Sequence, residues 1–211
     1  MASPKYASSS RSLTRAKPVH SSPLELLPRG VPSLGRTESH DHDPERPAPE
    51  RPASDRLGAV GIPARVLNEL YEHARESAPE ECCGLVVSER GHRYGRAVRC
   101  RNLMTQRHDE DPVTYPRDAT AAYYMSESDV LAVSREVERS GGAVTAVYHS
   151  HVGAGAYLSE LDLAYARHAL FPFPHADQIV LSVLEHRVRE MKIYLRSGDA
   201  FSEHWIEAEP S

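Results

Sequence analysis

The sequence predicts an α/β fold, a mixed β-sheet with helices packed against it. Three observations carry that expectation. Apolar residues recur at helical spacing in two stretches, at Val66, Leu67, Leu70, Tyr71 and Ala74, and again at Val130, Val133 and Val137. Two apolar runs of strand length, 82–87 and 142–148, read as buried strands. The elements follow in the order helix, two strands, a strand, helix, strand, helix, three strands. That is not the regular alternation of a parallel α/β sheet.

Each element has a local reason. Pro63 suits a first helical turn, and the period-3.6 pattern makes 63–77 an amphipathic helix that Ala78-Pro79 ends. The run through Cys82, Cys83, Gly84, Leu85, Val86 and Val87 follows, with Glu80 and Glu81 at its mouth. Gly91-His92 turns the chain, and 94–101 returns as the second arm of a hairpin. Residues 102–118 are polar and irregular and read as a long loop, with a short strand at 122–125 after it. Ser126-Glu127-Ser128-Asp129 starts a helix to about 140 in the manner of a capping box, and Gly141-Gly142 stops it. The 142–148 strand runs on into His149 and His151. A helix opens at Ser159 and reaches about 170, where Phe171-Pro172-Phe173-Pro174 breaks it. Strands at 178–184, 188–195 and 200–206 complete the chain, with Gly198-Asp199 as the last turn.

The 211 residues divide into a tail and one domain. Residues 1–56 hold nine of the sixteen prolines, ten serines and no periodic apolar pattern, so they are expected to be disordered. The first 24 residues carry four cations, seven serines and no acid. Organellar transit peptides share that composition; the reading here is a plain disordered leader. The globular domain is expected over 57–207. Residues 57–211 have sixteen Lys/Arg against twenty-three Asp/Glu, a poor balance for neutralising phosphates, so nucleic acid is not the expected partner. No stretch approaches the roughly 20 apolar residues of a membrane span. The cysteines, Cys82, Cys83 and Cys100, are odd in number and two are adjacent. They imply no disulfide framework and fit a reducing cytoplasm. Cys82 and Cys83, inside an apolar run, read as small buried hydrophobes rather than nucleophiles.

The chemistry concentrates between Tyr148 and Asp162. His149 and His151 end a predicted strand two residues apart, so alternation places both imidazoles on one face. Asp162 follows in the first turn of the next helix. Two imidazoles and a carboxylate with one position open make the ligand set of a catalytic zinc site. Hydrolysis at such a site needs a nearby base. Glu80 and Glu81 are the acids at the mouth of a buried strand, and either one could serve it or could cap the strand in solvent. Ser159 with Asp162 forms Ser-x-x-Asp, a helix-capping pattern, and its hydroxyl could also donate to an oxyanion. One carboxylate serves poorly as both cap partner and metal ligand. The metal reading therefore predicts that the Asp162 carboxylate points away from the Ser159 backbone.

Glu81, then His149-Ser150-His151, seven residues, and Ser159-x-x-Asp162 together resemble the JAMM motif of the MPN/JAB (Mov34/PAD-1) metalloproteases. The segment Pro79-x-Glu81-x-Cys83-Gly84-Leu85 is similar to the way prokaryotic members begin, and it selects Glu81 over Glu80. The resemblance covers roughly 62–206. It implies a mixed-sheet, cytidine-deaminase-like MPN sandwich with flanking helices. It also implies His149, His151 and Asp162 as Zn2+ ligands, Glu81 as general base and acid, and Ser159 as the donor on the oxyanion side. The implied reaction is hydrolysis after the C-terminal Gly-Gly tail of a ubiquitin-like or sulfur-carrier protein.

The sequence also departs from the family pattern. Val152 stands where many members carry proline, and the loop 152–158 is small and apolar apart from Tyr157. Long insertions like those of the eukaryotic deubiquitinases are missing. Two other readings compete. A non-catalytic MPN-type interaction domain would be marked by loss of ligands, and none is lost. A DNA-repair-associated JAB relative would carry His-Asn-His-Pro where this chain has His-Ser-His-Val.

Overall fold

The computed structural model describes residues 58–210; the tail expected to be disordered, with its leader, lies outside the described residues. The elements are β1 (Val60–Pro63), α1 (Ala64–Ser77), β2 (Cys83–Glu89), β3 (His92–Cys100), α2 (Met104–Glu110), α3 (Glu127–Ser140), β4 (Val144–Val152), α4 (Glu160–Ala166), β5 (Asp177–Leu184), β6 (Arg187–Ser197), β7 (Ala200–His204) and β8 (Ile206–Glu209). Six strands form one sheet in the order β3-β2-β4-β5-β6-β7. Every pairing in it is antiparallel except β4 with β5. A parallel pair needs a crossover, and α4 lies on that connection. The result is the expected mixed α/β sandwich.

Strand alternation divides the core in two. On one face Tyr148, Ile179, Leu181 and Ile193 pack against Val66, Leu67, Leu70 and Ala74 of α1. On the other, Cys83, Leu85 and Val147 pack with Val133 of α3 and with Phe171. Burying each such large side chain contributes about 1.5–3 kcal/mol. Gly84 sits where β2 is crowded by its neighbouring strands, since a Cβ there would run into the Val98 carbonyl and the Tyr148 ring. Asp177 is buried, and its charge is paired: Arg93 and the Tyr94 hydroxyl donate to Oδ2 at 2.8 Å each, and the Arg196 N–H donates to Oδ1 at 2.8 Å.

Four expectations change. Residues 102–118 are not all loop, because 104–110 form α2, with the Asn102 side chain accepting from the Met104 N–H at 3.0 Å. The short strand at 122–125 reduces to a single bridge between Asn102 and Met125. The last predicted strand divides at Trp205. The chain leaves the main sheet there, and β8 pairs in parallel with β1, a strand the sequence did not announce. α4 stops at Ala166, short of the predicted 170. Among the described residues, no helix is long and apolar enough to cross a membrane.

Candidate metal centre

β4 runs antiparallel to β2 with Cys83 opposite His149. The C-terminal end of β4 therefore meets the segment that leads into β2, and this brings Glu81 to the histidines across 68 residues of sequence. His149 is 0% exposed and His151 9%. Their Nε2 atoms lie 3.1 Å apart, as same-face residues of one strand allow. Asp162, on the first turn of α4, brings Oδ2 to 3.4 Å from His149 Nε2 and 3.5 Å from His151 Nε2.

Ser150 points to the opposite face and ties the two strands together. Its Oγ accepts from the Cys82 N–H at 2.8 Å, and its own N–H donates to Cys82 O at 3.0 Å. One residue earlier, Glu81 donates its N–H to Ala119 O at 2.7 Å, and its carbonyl accepts from Asn102 Nδ2 at 3.0 Å. Glu81 is only 7% exposed, whereas Glu80 is exposed. Burial pushes the Glu81 carboxyl up to about 7, against the opposing pull of His149 and His151; Asp162 adds to the rise and Arg117 opposes it.

The expectation for Asp162 is corrected. Its Oδ2 accepts from the Ser159 N–H at 2.9 Å and from the Ser159 hydroxyl at 2.6 Å, while Ser159 Oγ accepts from the Asp162 N–H at 3.2 Å. This is a complete capping box, and the oxygen that closes it is the one facing both imidazoles. A carboxylate at the third helical position folds back over the cap. The end of β4 lies beside that cap, so one direction serves both contacts. Burial opposes ionisation of Asp162, but the charge and hydrogen bond of His149, then the bonds from His151 and Ser159, outweigh it. The carboxyl is held well below the usual carboxylate range.

The surroundings orient the rings. His151 Nδ1 donates to Gly155 O at 3.1 Å, which leaves Nε2 with its lone pair toward the cluster. Tyr157 stands edge-on to His151, ring centroids 5.0 Å apart. Tyr123 stacks on His149 at 4.6 Å and 26°. Sequence reasoning missed Tyr123, and nothing local could have found it. It also missed Ser150 as a clamp, although its place between two same-face histidines puts it on the opposite face. The 152–158 loop is anchored, with Ser182 Oγ donating to Ala154 O at 2.6 Å and the Tyr194 hydroxyl donating to Ala156 O at 2.9 Å. The three cysteines are buried. Burial pushes the Cys82 and Cys100 thiols up to about 12 and raises Cys83 well above its ordinary value.

The cluster has the spacing of a metal site. A tetrahedral ion bound at about 2.0–2.1 Å holds neighbouring donor atoms about 3.3 Å apart. The separations here are 3.1, 3.4 and 3.5 Å. His149, His151 and Asp162 are the one group of three potential ligands that closes up among the described residues, so the acidic stretch 108–111 forms no second one.

The fold and this cluster define a class: an α/β sandwich whose central strand ends in a buried His-x-His facing a helix-capping aspartate. The chain belongs to the prokaryotic homologs of the JAB domain, a family it matches over residues 63–194. It is similar to the CysO-cysteine peptidase of Mycobacterium tuberculosis, with 26% identity over 133 residues, covering 63% of this chain and 80% of that protein. It is also similar to tail tip assembly protein K of Escherichia phage N15, with 29% identity over 109 residues, covering 52% of this chain and 37% of that protein. Among solved structures, protein DSY2949 of Desulfitobacterium hafniense shares the fold, with a TM-score of 0.51 and 20% identity over 72% of this chain and 93% of that one.

Proposed function

We propose that this protein is a zinc-dependent peptidase that hydrolyses the bond after the C-terminal Gly-Gly tail of a ubiquitin-like or sulfur-carrier protein. Membership of the JAB family and the likeness to a CysO-cysteine peptidase support a peptidase-type function. The observation that carries the finer reading is the meeting of a buried, basic Glu81 with the His149, His151 and Asp162 donors at one mouth of the sheet.

His149 Nε2, His151 Nε2 and Asp162 Oδ2 would hold the ion. Zinc bound there supplies a Lewis acid that polarises the scissile carbonyl and acidifies water. Glu81 takes the proton from the attacking water and delivers it to the leaving nitrogen, a transfer favoured by a carboxylate whose pKa lies near 7. Ser159 acts as donor toward the developing oxyanion. Its hydroxyl rests on Asp162 Oδ2, and rotation about the Cβ–Oγ bond redirects the proton while the oxygen still accepts from the Asp162 N–H. The anchored 152–158 loop and Tyr157 border the approach, where an extended glycine tail leaves room for backbone contacts.

The test joins metal content to cleavage. Purified protein should hold about one zinc per chain and release a C-terminal extension from a Gly-Gly-tailed carrier, and a chelator should abolish that activity. A protein that neither retains nor gains activity from added zinc would sink the proposal.

A further inference from the structure

Asn102 lies just past β3, where the chain leaves the sheet. Its side-chain amide makes four hydrogen bonds, the full capacity of the group. Nδ2 donates to Glu81 O at 3.0 Å and to Ala122 O at 3.1 Å. Oδ1 accepts from the Met104 N–H at 3.0 Å and the Tyr124 N–H at 2.9 Å. Two of these partners, Ala122 and Tyr124, flank Tyr123, whose ring lies on His149. A single amide thus joins the backbone of Glu81 to the backbone on both sides of the plate covering a metal-facing imidazole.

We propose that Asn102 is a positioning residue that holds the Glu81 carboxylate and the Tyr123 ring in one frame over His149. It touches neither substrate nor metal and acts through those two residues. The role rests on the reading of Glu81 as the base. No other side chain of this size offers two donors and two acceptors on one planar group. Aspartate matches the shape but turns two attractive contacts, to Glu81 O and Ala122 O, into repulsive ones. Glutamine adds a methylene that the four short bonds do not accommodate.

The structural alternative is that Asn102 merely ties down the start of α2. Three measurements on the zinc-loaded full chain separate the two, using Asn102→Asp and Asn102→Ala. With a Gly-Gly-tailed carrier bearing a fluorescent amine as substrate, kcat should fall about 10- to 100-fold, the range for residues that orient a metal site from outside it. KM and the zinc dissociation constant, measured by competition with a chromophoric chelator, should change less than threefold. Amide hydrogen exchange at Glu81 and Tyr124 should accelerate at least tenfold, while that at Leu70 in α1 stays unchanged. A kcat within threefold of the parent overturns the proposal, and so does zinc affinity that falls in step with kcat. If Asn102→Ala does not fold, Asn102→Asp, which keeps the volume and the acceptor for the Met104 and Tyr124 N–H groups, decides on kcat, zinc affinity and exchange at Glu81. If the parent cleaves nothing, the catalytic reading fails separately and exchange alone decides. Accelerated exchange at Glu81 and Tyr124 then supports the frame, and retained protection overturns it.

Discussion

Asp162 Oδ2 lies 2.6 Å from the Ser159 hydroxyl oxygen and 2.9 Å from the Ser159 backbone nitrogen, and the same atom faces both imidazoles of the His-x-His strand. Helix capping and the metal-ligand geometry share one oxygen. On the proposed zinc site, a change at Asp162 is expected to act on stability and on metal binding together, and two substitutions pull the roles apart. Asp162→Asn keeps an acceptor for the cap but loses the charge, so zinc content should fall from about one per chain to below about a tenth, with the chelated protein losing little stability. Asp162→Ala loses both, and should cost about a further 0.5–1.5 kcal/mol in the chelated protein as the hydrogen bond to the cap is lost. Elemental analysis and urea unfolding with chelator present read the two effects.

Glu81 should separate chemistry from metal binding. Glu81→Gln keeps the shape and the backbone bonds to Ala119 and Asn102 but removes the proton acceptor. The expected outcome is a fall in kcat of about 10²- to 10⁴-fold with zinc content unchanged, measured on a Gly-Gly-tailed carrier. Glu80→Gln, on the exposed neighbour, should leave kcat within about twofold. Equal losses in the two variants would contradict the assignment of the base.

His73 gives the fold a pH dependence away from the metal site. It lies on the buried face of α1, with Nδ1 2.8 Å from the Tyr148 hydroxyl oxygen. Burial, followed by the charge of Arg99, lowers its pKa to about 4, against the opposing pull of Glu69 and Glu76. The unfolded chain takes up a proton at this residue below its ordinary pKa of about 6.5, and the folded protein does so only near 4. The folded state binds fewer protons in that window, so stability is full above about 6.5 and is lost as pH falls toward 4. The loss between pH 7 and pH 5 should be about 2 kcal/mol. Urea unfolding of the chelated protein at the two pH values, compared with His73→Gln, should show that much of the acid loss disappear.

The cysteines should be silent. All three are buried, and the elevated thiol pKa values leave almost no thiolate at neutral pH. An aromatic disulfide reagent at pH 8 should label no thiol in the folded protein and three in urea. Activity should survive the folded-state treatment. Rapid labelling with loss of cleavage would instead favour a cysteine nucleophile.

Much of the fold was legible because its signals are local. The α1 stripe, the Ser126 cap, the left-handed Gly141 stop and the alternation through His149 and His151 all follow from neighbouring residues. The failures share a cause. β1 and β8 are four residues each and exist only because they pair with one another across the length of the domain. α2 has a single buried residue, Met104, so no apolar period betrayed it. The turn between β5 and β6, by contrast, falls in the gap expected between strands 178–184 and 188–195, although left-handed Glu185 and His186 form it without a glycine.

The sequence by itself determined the donor chemistry: two imidazoles on one strand face, a carboxylate on the next helix turn and a pair of acids ahead of a buried strand. Side-chain type and periodicity suffice for that, because each group is positioned by residues within a few steps of it. Only the tertiary structure decided that Glu81 is buried beside the histidines while Glu80 stays exposed, that Asp162 can cap its helix while facing the histidines, and that Tyr123 stacks on His149 with Asn102 bonded to the backbone on either side of it. Those facts depend on the register of β2 against β4 and on a hydrogen-bonded loop closing over the strand ends. Proximity of that kind comes from the packing of distant segments, which no local spacing encodes.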